Sequence, residues 1–233
     1  MGLRIVIVGY GRMGKTVDRL CGSYDCEVVE RLDIHNNAGG EGIDAARLPQ
    51  ADVAIDFSTA DALLVNLPRL AAIGMNAVIG TTGWNEHEER MQAVVAKTGI
   101  GVVAAANFSL GVNAFQVIVE RAAQLLQPLD EFGACIHETH HAAKIDAPSG
   151  TALALRDAMR GSGYDAAIDM ASTRVGSCPG THTVGFDGPF EALSLTHSTR
   201  DRATFAHGAI AAARWVHEKR GWFTMRDVLG LES

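Results

Sequence analysis

In the first half of the chain the apolar positions fall in short, β-branched runs: RIVIVG (4–9), EVVERLD (27–33), DVAIDFS (52–58), NAVIGT (76–81) and IGVVAAA (100–106). Between them the apolar side chains recur at helical spacing. Strands that alternate with helices at this interval imply right-handed βαβ units and a parallel sheet. Ser58 followed by Asp61, and Asn85 followed by Glu88, have the form of an N-cap with an acid three positions on, which predicts helix starts there.

Beyond Asn107 the pattern changes. An amphipathic stretch over about 111–126 precedes the strand-like FGACIHETH (132–140), then one helix, then TRVGS (173–177), THTVGF (181–186) and EALSLTHST (191–199). Several strands with few helices among them predict an open mixed sheet in a second, α+β domain. The segment ATFAHGAIAAARWVHEKRGW (203–222) returns to helical periodicity. The expected fold class is α/β: a doubly wound parallel-sheet domain over 1–107, completed by 203–233, plus an α+β domain over 108–202.

Composition narrows the partners. With 47% apolar and 20% charged residues, the 233-residue chain has the make-up of a globular protein. Its 27 acids outnumber 20 scattered Lys and Arg, which argues against a nucleic-acid surface, so any anion site must be local. The N-terminal MGLRIVIVG is too short for a signal-peptide core, and no apolar run reaches the ~18 residues of a membrane span. A cytoplasmic location is expected, with no membrane partner. Cys21, Cys26, Cys135 and Cys178 lack C-x-x-C spacing and read as small packed residues.

The first candidate chemistry is GYGRMG (9–14), which follows a predicted strand and opens a predicted helix. In that context Gly9 permits the tight turn, Gly11 lets the backbone approach a pyrophosphate, and Gly14 lets the helix pack close to the strand. Asp33, 19 residues beyond Gly14, stands where a carboxylate accepts hydrogen bonds from an adenosine ribose. The plain alternatives are a structural glycine turn and a solvated strand-end acid. Read together, the two features predict a Rossmann-type dinucleotide domain. Asp33 favours NADH, because a 2′-phosphate would meet like charge unless Arg12, Arg31 or His35 compensates.

The second is ETHHAAKIDAPSGTAL (138–153), which holds one of only four lysines in the chain. Ser149, Gly150 and Thr151 read as the entrance to a helix running to Gly161, whose N–H groups and hydroxyls suit an anion. Lys144 adds a mobile positive charge and His141 a further donor, which fits a carboxylate better than a neutral group. An ordinary helix cap is the plainer reading of PSGT alone. His140 and His141 with Glu138 also invite zinc, but neighbours on a strand point to opposite faces and no third ligand sits at metal spacing, so no metal is expected.

GYGRMG, DFSTADA (56–62), GTTGW (80–84), AANFSLGVN (105–113), ETHHAAKIDAPSGTAL and the tail THTVGF…LTHSTRDRATFAHGAIAAARW…GWFTMRDVLGL together resemble the dihydrodipicolinate reductases, in order and over nearly the whole chain. The resemblance implies hydride delivery from NADH or NADPH to a cyclic dicarboxylate in lysine and diaminopimelate biosynthesis, by a homotetramer assembled through the second domain. It places His140 and Lys144 as catalytic residues, and His141, Lys144, Ser149, Gly150 and Thr151 on the substrate carboxylates. It places Gly9, Gly11, Arg12, Met13, Gly14, Asp33 and Ser58 with the cofactor, and Gly80, Thr81, Thr82, Ala106, Asn107 and Phe108 on its nicotinamide side. The stretch 34–51 is shorter than in longer members, and Ile34 stands where some NADPH users carry arginine, which makes NADH the expected equal or better cofactor. A nucleotide sensor without turnover would not need the histidine–lysine block. An aspartate dehydrogenase would not be expected to carry it.

Overall fold

A computed structural model describes residues 2–48 and 50–231. In chain order the elements begin β1 (Leu3–Val8), α1 (Arg12–Cys21), β2 (Cys26–Leu32), β3 (Val53–Asp56), α2 (Ala60–Ala72), β4 (Asn76–Ile79), α3 (Glu88–Thr98) and β5 (Gly101–Ala104). They continue α4 (Leu110–Leu126), β6 (Gly133–His140), α5 (Gly150–Gly161), β7 (Ile168–Arg174), β8 (Thr181–Asp187) and β9 (Ala192–Ser198). The last are α6 (Ala203–Val216), β10 (Gly221–Phe223) and α7 (Met225–Leu229). Backbone contacts divide these into two compact units, one made of the stretch to Leu110 and that from Ala203 onward, the other of Gly111–Arg202.

The first unit is a parallel sheet in the order β10-β5-β4-β3-β1-β2. Its strands read as unbroken apolar runs because both faces are covered. The period of two sends Val6, Val8, Ala54 and Ile79 to one face, against Leu63 and Leu67 of α2 and Met91 and Val95 of α3. Ile5, Ile7, Ile55 and Val78 go to the other, against Val17 of α1 and Ala206, Ala209, Ile210 and Ala213 of α6. This is a Rossmann-type, doubly wound sheet.

The second unit is a mixed four-stranded sheet in the order β7-β6-β8-β9, parallel between β6 and β7 and antiparallel elsewhere. Ala134 and Ile136 of β6 and Val184 and Phe186 of β8 pack on Phe115, Val119 and Ala123 of α4 and Leu155 and Met159 of α5. Cys135 and His137 alternate onto the other, open face. Glu138 and His140 continue the buried row, so the apolar layer turns polar towards the end of β6.

Several sequence expectations need correcting. The N-cap of α2 is Thr59, which accepts the Ala62 N–H; the Ser58 hydroxyl is taken by Asp56 instead. Asn85 opens a short 3₁₀ turn, and α3 starts at Glu88 without a side-chain cap. The strand sought at TRVGS lies upstream, in β7. The final apolar stretch is not one helix: Gly221–Phe223 forms an edge strand on β5. Gly221, at φ +116°, makes that reversal possible. Cys21 and Cys26 are packed as expected, but Cys135 is exposed. No helix among the described residues is long and apolar enough to cross a membrane.

Candidate active site

In the first unit, the turn from β1 into α1 is shaped by what its glycines lack. A methyl on Gly9 would stand 2.5 Å from the Phe57 carbonyl oxygen, and one on Gly14 only 2.4 Å from that of Gly9, whereas the space over Gly11 is open. Helix α1 therefore begins close against the strand, with neither a side-chain cap nor an acid in its first turn. Its outward-facing amides, those of Arg12 and Met13 among them, suit an anion such as a pyrophosphate.

Asp33 follows β2 directly. Its Oδ1 accepts the His35 N–H at 2.8 Å, its own N–H donates to Asn36 Oδ1 at 2.7 Å, and its carbonyl accepts the Asn37 N–H at 2.8 Å. Arg31 is committed elsewhere, with Nε and Nη2 both 2.7 Å from the Asp18 carboxylate, to which Tyr10 also donates at 2.5 Å. Hydrogen bonds from Arg31, which outweigh the cost of burial, hold Asp18 below the usual carboxylate range. Ile34 is 83% exposed.

Asp56, at the end of β3, is fully buried and organises the other end of this unit. Its Oδ1 accepts the Ser58 N–H and hydroxyl at 2.9 and 2.6 Å and the Thr81 hydroxyl at 2.8 Å, while Oδ2 accepts from Asn66. Burial pushes its carboxyl up against these hydrogen bonds. The Gly80 N–H donates to the Asp56 carbonyl, so the Gly80–Gly83 loop is tied to β3 twice. A cleft of about 720 Å³ opens beside that loop, lined by Thr81, Thr82, Gly83, Trp84 and Ala104 to Ala106 among others. Asn107 follows and accepts the Ser109 N–H at 2.9 Å. Phe108 gives its ring to the core, edge-on to Phe57.

In the second unit Ser149 caps α5 by accepting the Ala152 N–H, which leaves Gly150 and Thr151 in its first turn. His141 and Lys144 lie on the loop between β6 and α5, where the Lys144 N–H donates to the His141 carbonyl. The Lys144 ammonium lies 2.7 and 2.8 Å from the two oxygens of Asp146. Below the loop, His140 Nδ1 is hydrogen-bonded to Glu138 Oε2, and Arg174 Nη2 donates to Glu138 Oε1 at 2.7 Å and to the Asp146 carbonyl at 2.6 Å. Burial raises the Glu138 carboxyl, but hydrogen bonds from Arg174, Ser172 and His140 prevail and hold it at about 2.

His182 comes from β8, opposite Glu138 in register. Its Nε2 is 3.1 Å from Ser149 Oγ and its ring is edge-on to His140. Burial and the neighbouring His140 push His182 down to about 4, so it is neutral at physiological pH. Glu138, His140 and His182 hold ligand-type atoms within 4.8 Å of one another. Both Glu138 oxygens, His140 Nδ1 and His182 Nε2 are engaged with each other, with Arg174 or with Ser149 as a hydrogen-bond network, while the buried His182 Nδ1 has no partner among the described residues. Sequence reading missed Arg174, His182 and the Asp56 hub. Only strand register brings the first two to Glu138, and nothing local marks Asp56 as buried.

A nucleotide-type glycine turn in one unit, and proton-bearing side chains around an anion-ready helix entrance in the other, define an NAD(P)H-dependent oxidoreductase. Residues 3–108 match the family model described as dihydrodipicolinate reductase, N-terminus, and residues 111–229 match its C-terminus. The 4-hydroxy-tetrahydrodipicolinate reductase of Christiangramia forsetii is 34% identical, covering 97% of this chain and 98% of its own. That of Bradyrhizobium diazoefficiens is 36% identical, over 98% of each. A dipicolinate-bound dihydrodipicolinate reductase from Paenisporosarcina sp. TG-14 shares the fold, with a TM-score of 0.79 at 21% identity, covering 96% of this chain and 98% of that one. The chain belongs to the dihydrodipicolinate reductase family, which reduces its precursor in lysine and diaminopimelate biosynthesis with a pyridine nucleotide.

Proposed function

We propose that this chain reduces 4-hydroxy-tetrahydrodipicolinate to tetrahydrodipicolinate in the cytoplasm, with NADH at least as good a reductant as NADPH. The observation that carries the substrate reading is the Lys144–Asp146 pair: a carboxylate sits with both oxygens on the ammonium, one loop from the α5 entrance. Asp146 is 58% exposed and stands in for a substrate carboxylate that would displace it. His141, Gly150 and Thr151 are taken to hold the carboxylates, the last two through helix-terminal N–H groups and the Thr151 hydroxyl, with the buried Ser149 shaping the entrance as its cap. When bound, the nicotinamide supplies hydride; Lys144 supplies a proton to the ring that accepts it, beside His140. The test is oxidation of NADH by the purified protein with freshly generated precursor, and oxaloacetate with ammonia as the control. Turnover of the control alone would overturn the assignment.

The cofactor preference rests on Asp33, which is taken to hold the adenosine ribose, and on Arg31, which Asp18 occupies. A 2′-phosphate would meet a carboxylate and an exposed Ile34. The expected kcat/KM for NADH equals or exceeds that for NADPH. A preference for NADPH beyond about tenfold, roughly 1.4 kcal/mol, would contradict this and direct attention to Arg12.

A homotetramer assembled through the second unit is the proposed state. The open face of its sheet is built of small and hydroxyl side chains, among them Thr139, Thr173, Thr181, Thr183, Thr196 and Ser198, a flat surface suited to a second sheet. Light scattering is expected to give four times the chain mass at micromolar concentration. A monomer there would sink the proposal.

A further inference from the structure

His140 closes β6, and the groups that hold it come from β6 and β7. Strand alternation puts Glu138 on the same buried face two positions earlier, and the β6–β7 register puts Arg174 directly opposite His140. The two oxygens of Glu138 have divided duties. Oε1 faces two groups that can only donate, the Arg174 guanidinium at 2.7 Å and the Ser149 N–H at 3.3 Å, while Oε2 faces His140 Nδ1. His182 is the other titratable group against the ring, and it stays neutral. Nε2 is turned towards Gly180, where even a methyl group would come within 2.9 Å of it.

We propose that Glu138 and Arg174 are positioning residues that fix the proton on His140 Nδ1 and so present Nε2 as the working edge of the ring. This rests on the reading above in which His140 meets the substrate. An ionised Glu138 requires a proton on Nδ1, because a carboxylate can only accept there. Nε2, on the far side of the ring, is then the nitrogen left to exchange a proton. Arg174 does more than neutralise charge. By occupying Oε1 it decides which oxygen His140 receives, and through the Asp146 carbonyl it ties the Lys144 loop to the same point.

The arrangement makes an unusual forecast for Glu138→Gln. With Arg174 and Ser149 both donating at the Oε1 position, the amide must turn its carbonyl there and its NH₂ towards Nδ1. His140 then has to accept at Nδ1, and its proton moves to Nε2. Removing Arg174 as well, in Glu138→Gln/Arg174→Met, leaves the weaker Ser149 N–H and the Ser172 hydroxyl, which can donate or accept, so the amide is free to turn its oxygen to Nδ1.

The experiment is ¹⁵N NMR of histidine-labelled protein, with kcat for each variant and NADH affinity as the folding control for the first unit. Wild-type His140 is expected to carry its proton on Nδ1. Glu138→Gln should move it to Nε2 and lower kcat by about 10²- to 10⁴-fold, the range seen when a carboxylate that fixes a tautomer becomes an amide. The double variant should regain Nδ1–H, whatever kcat it loses through the freed Lys144 loop. A wild-type His140 with Nε2–H alone would overturn the proposal without any variant. So would a Glu138→Gln enzyme that keeps Nδ1–H or turns over within threefold of wild type. His140→Gln separates the two levels: undiminished kcat there removes His140 itself from the chemistry, whereas a loss there with an active Glu138→Gln refutes the positioning role alone.

Discussion

Replacing Lys144 with methionine is expected to lower kcat by about 10²- to 10⁴-fold, the range for loss of a positioned general acid. Methionine keeps most of the stem length and polarisability but has no proton and no charge. The side chain is 22% exposed, its ammonium held by Asp146 and its loop by Arg174, so the change removes chemistry and leaves the scaffold in place. Thr151→Val in the same assay should chiefly raise KM, by the equivalent of about 1 to 3 kcal/mol for an unpaired partner. NADH affinity should survive both, because the glycine turn lies in the other unit. If Lys144→Met keeps its kcat and raises only KM, the lysine is an anchor and His140 inherits proton delivery.

Phe186→Ala is expected to destabilise the second unit by about 3 to 5 kcal/mol, the cost of emptying a filled aromatic site. The ring is fully buried on β8, edge-on to Tyr164, whose hydroxyl donates to the Phe132 carbonyl. Two rows along the same strand lies His182, so the core layer that Phe186 fills also seats the polar network. Hydrogen exchange of the Ile136 and Val184 amides, which are in the β6–β8 ladder, should accelerate by about 10²- to 10⁴-fold. An unchanged rate at those amides would place the core of this unit elsewhere.

Much of the first unit was legible because its strands are buried on both faces and its helices are punctuated by glycine. The parallel sheet and the turn at Gly9 to Gly14 follow from that spacing. Misreadings cluster where a polar side chain had two possible partners. Ser58 has the form of a cap, but a buried carboxylate two residues earlier, Asp56, outcompetes the helix end. The tail failed for a different reason: Gly221 reverses the chain inside a stretch whose apolar spacing is still helical. In the second unit the stretch carrying His140, Lys144 and Ser149 is local and could be found. Arg174 and His182 join it only through strand register, which no short segment encodes.

One face of the parallel sheet, bearing Ile5, Ile7, Ile55 and Val78, is covered by α6, whose residues leave the ribosome only after all of Gly111–Arg202. The contiguous second unit is complete in sequence before the first, which is the reverse of the usual N-terminal-first order in which domains emerge. Until residue 216 emerges, the part of that aliphatic face that α1 does not cover lacks its partner helix. Translation speed through the inserted segment then sets how long that surface waits for α6.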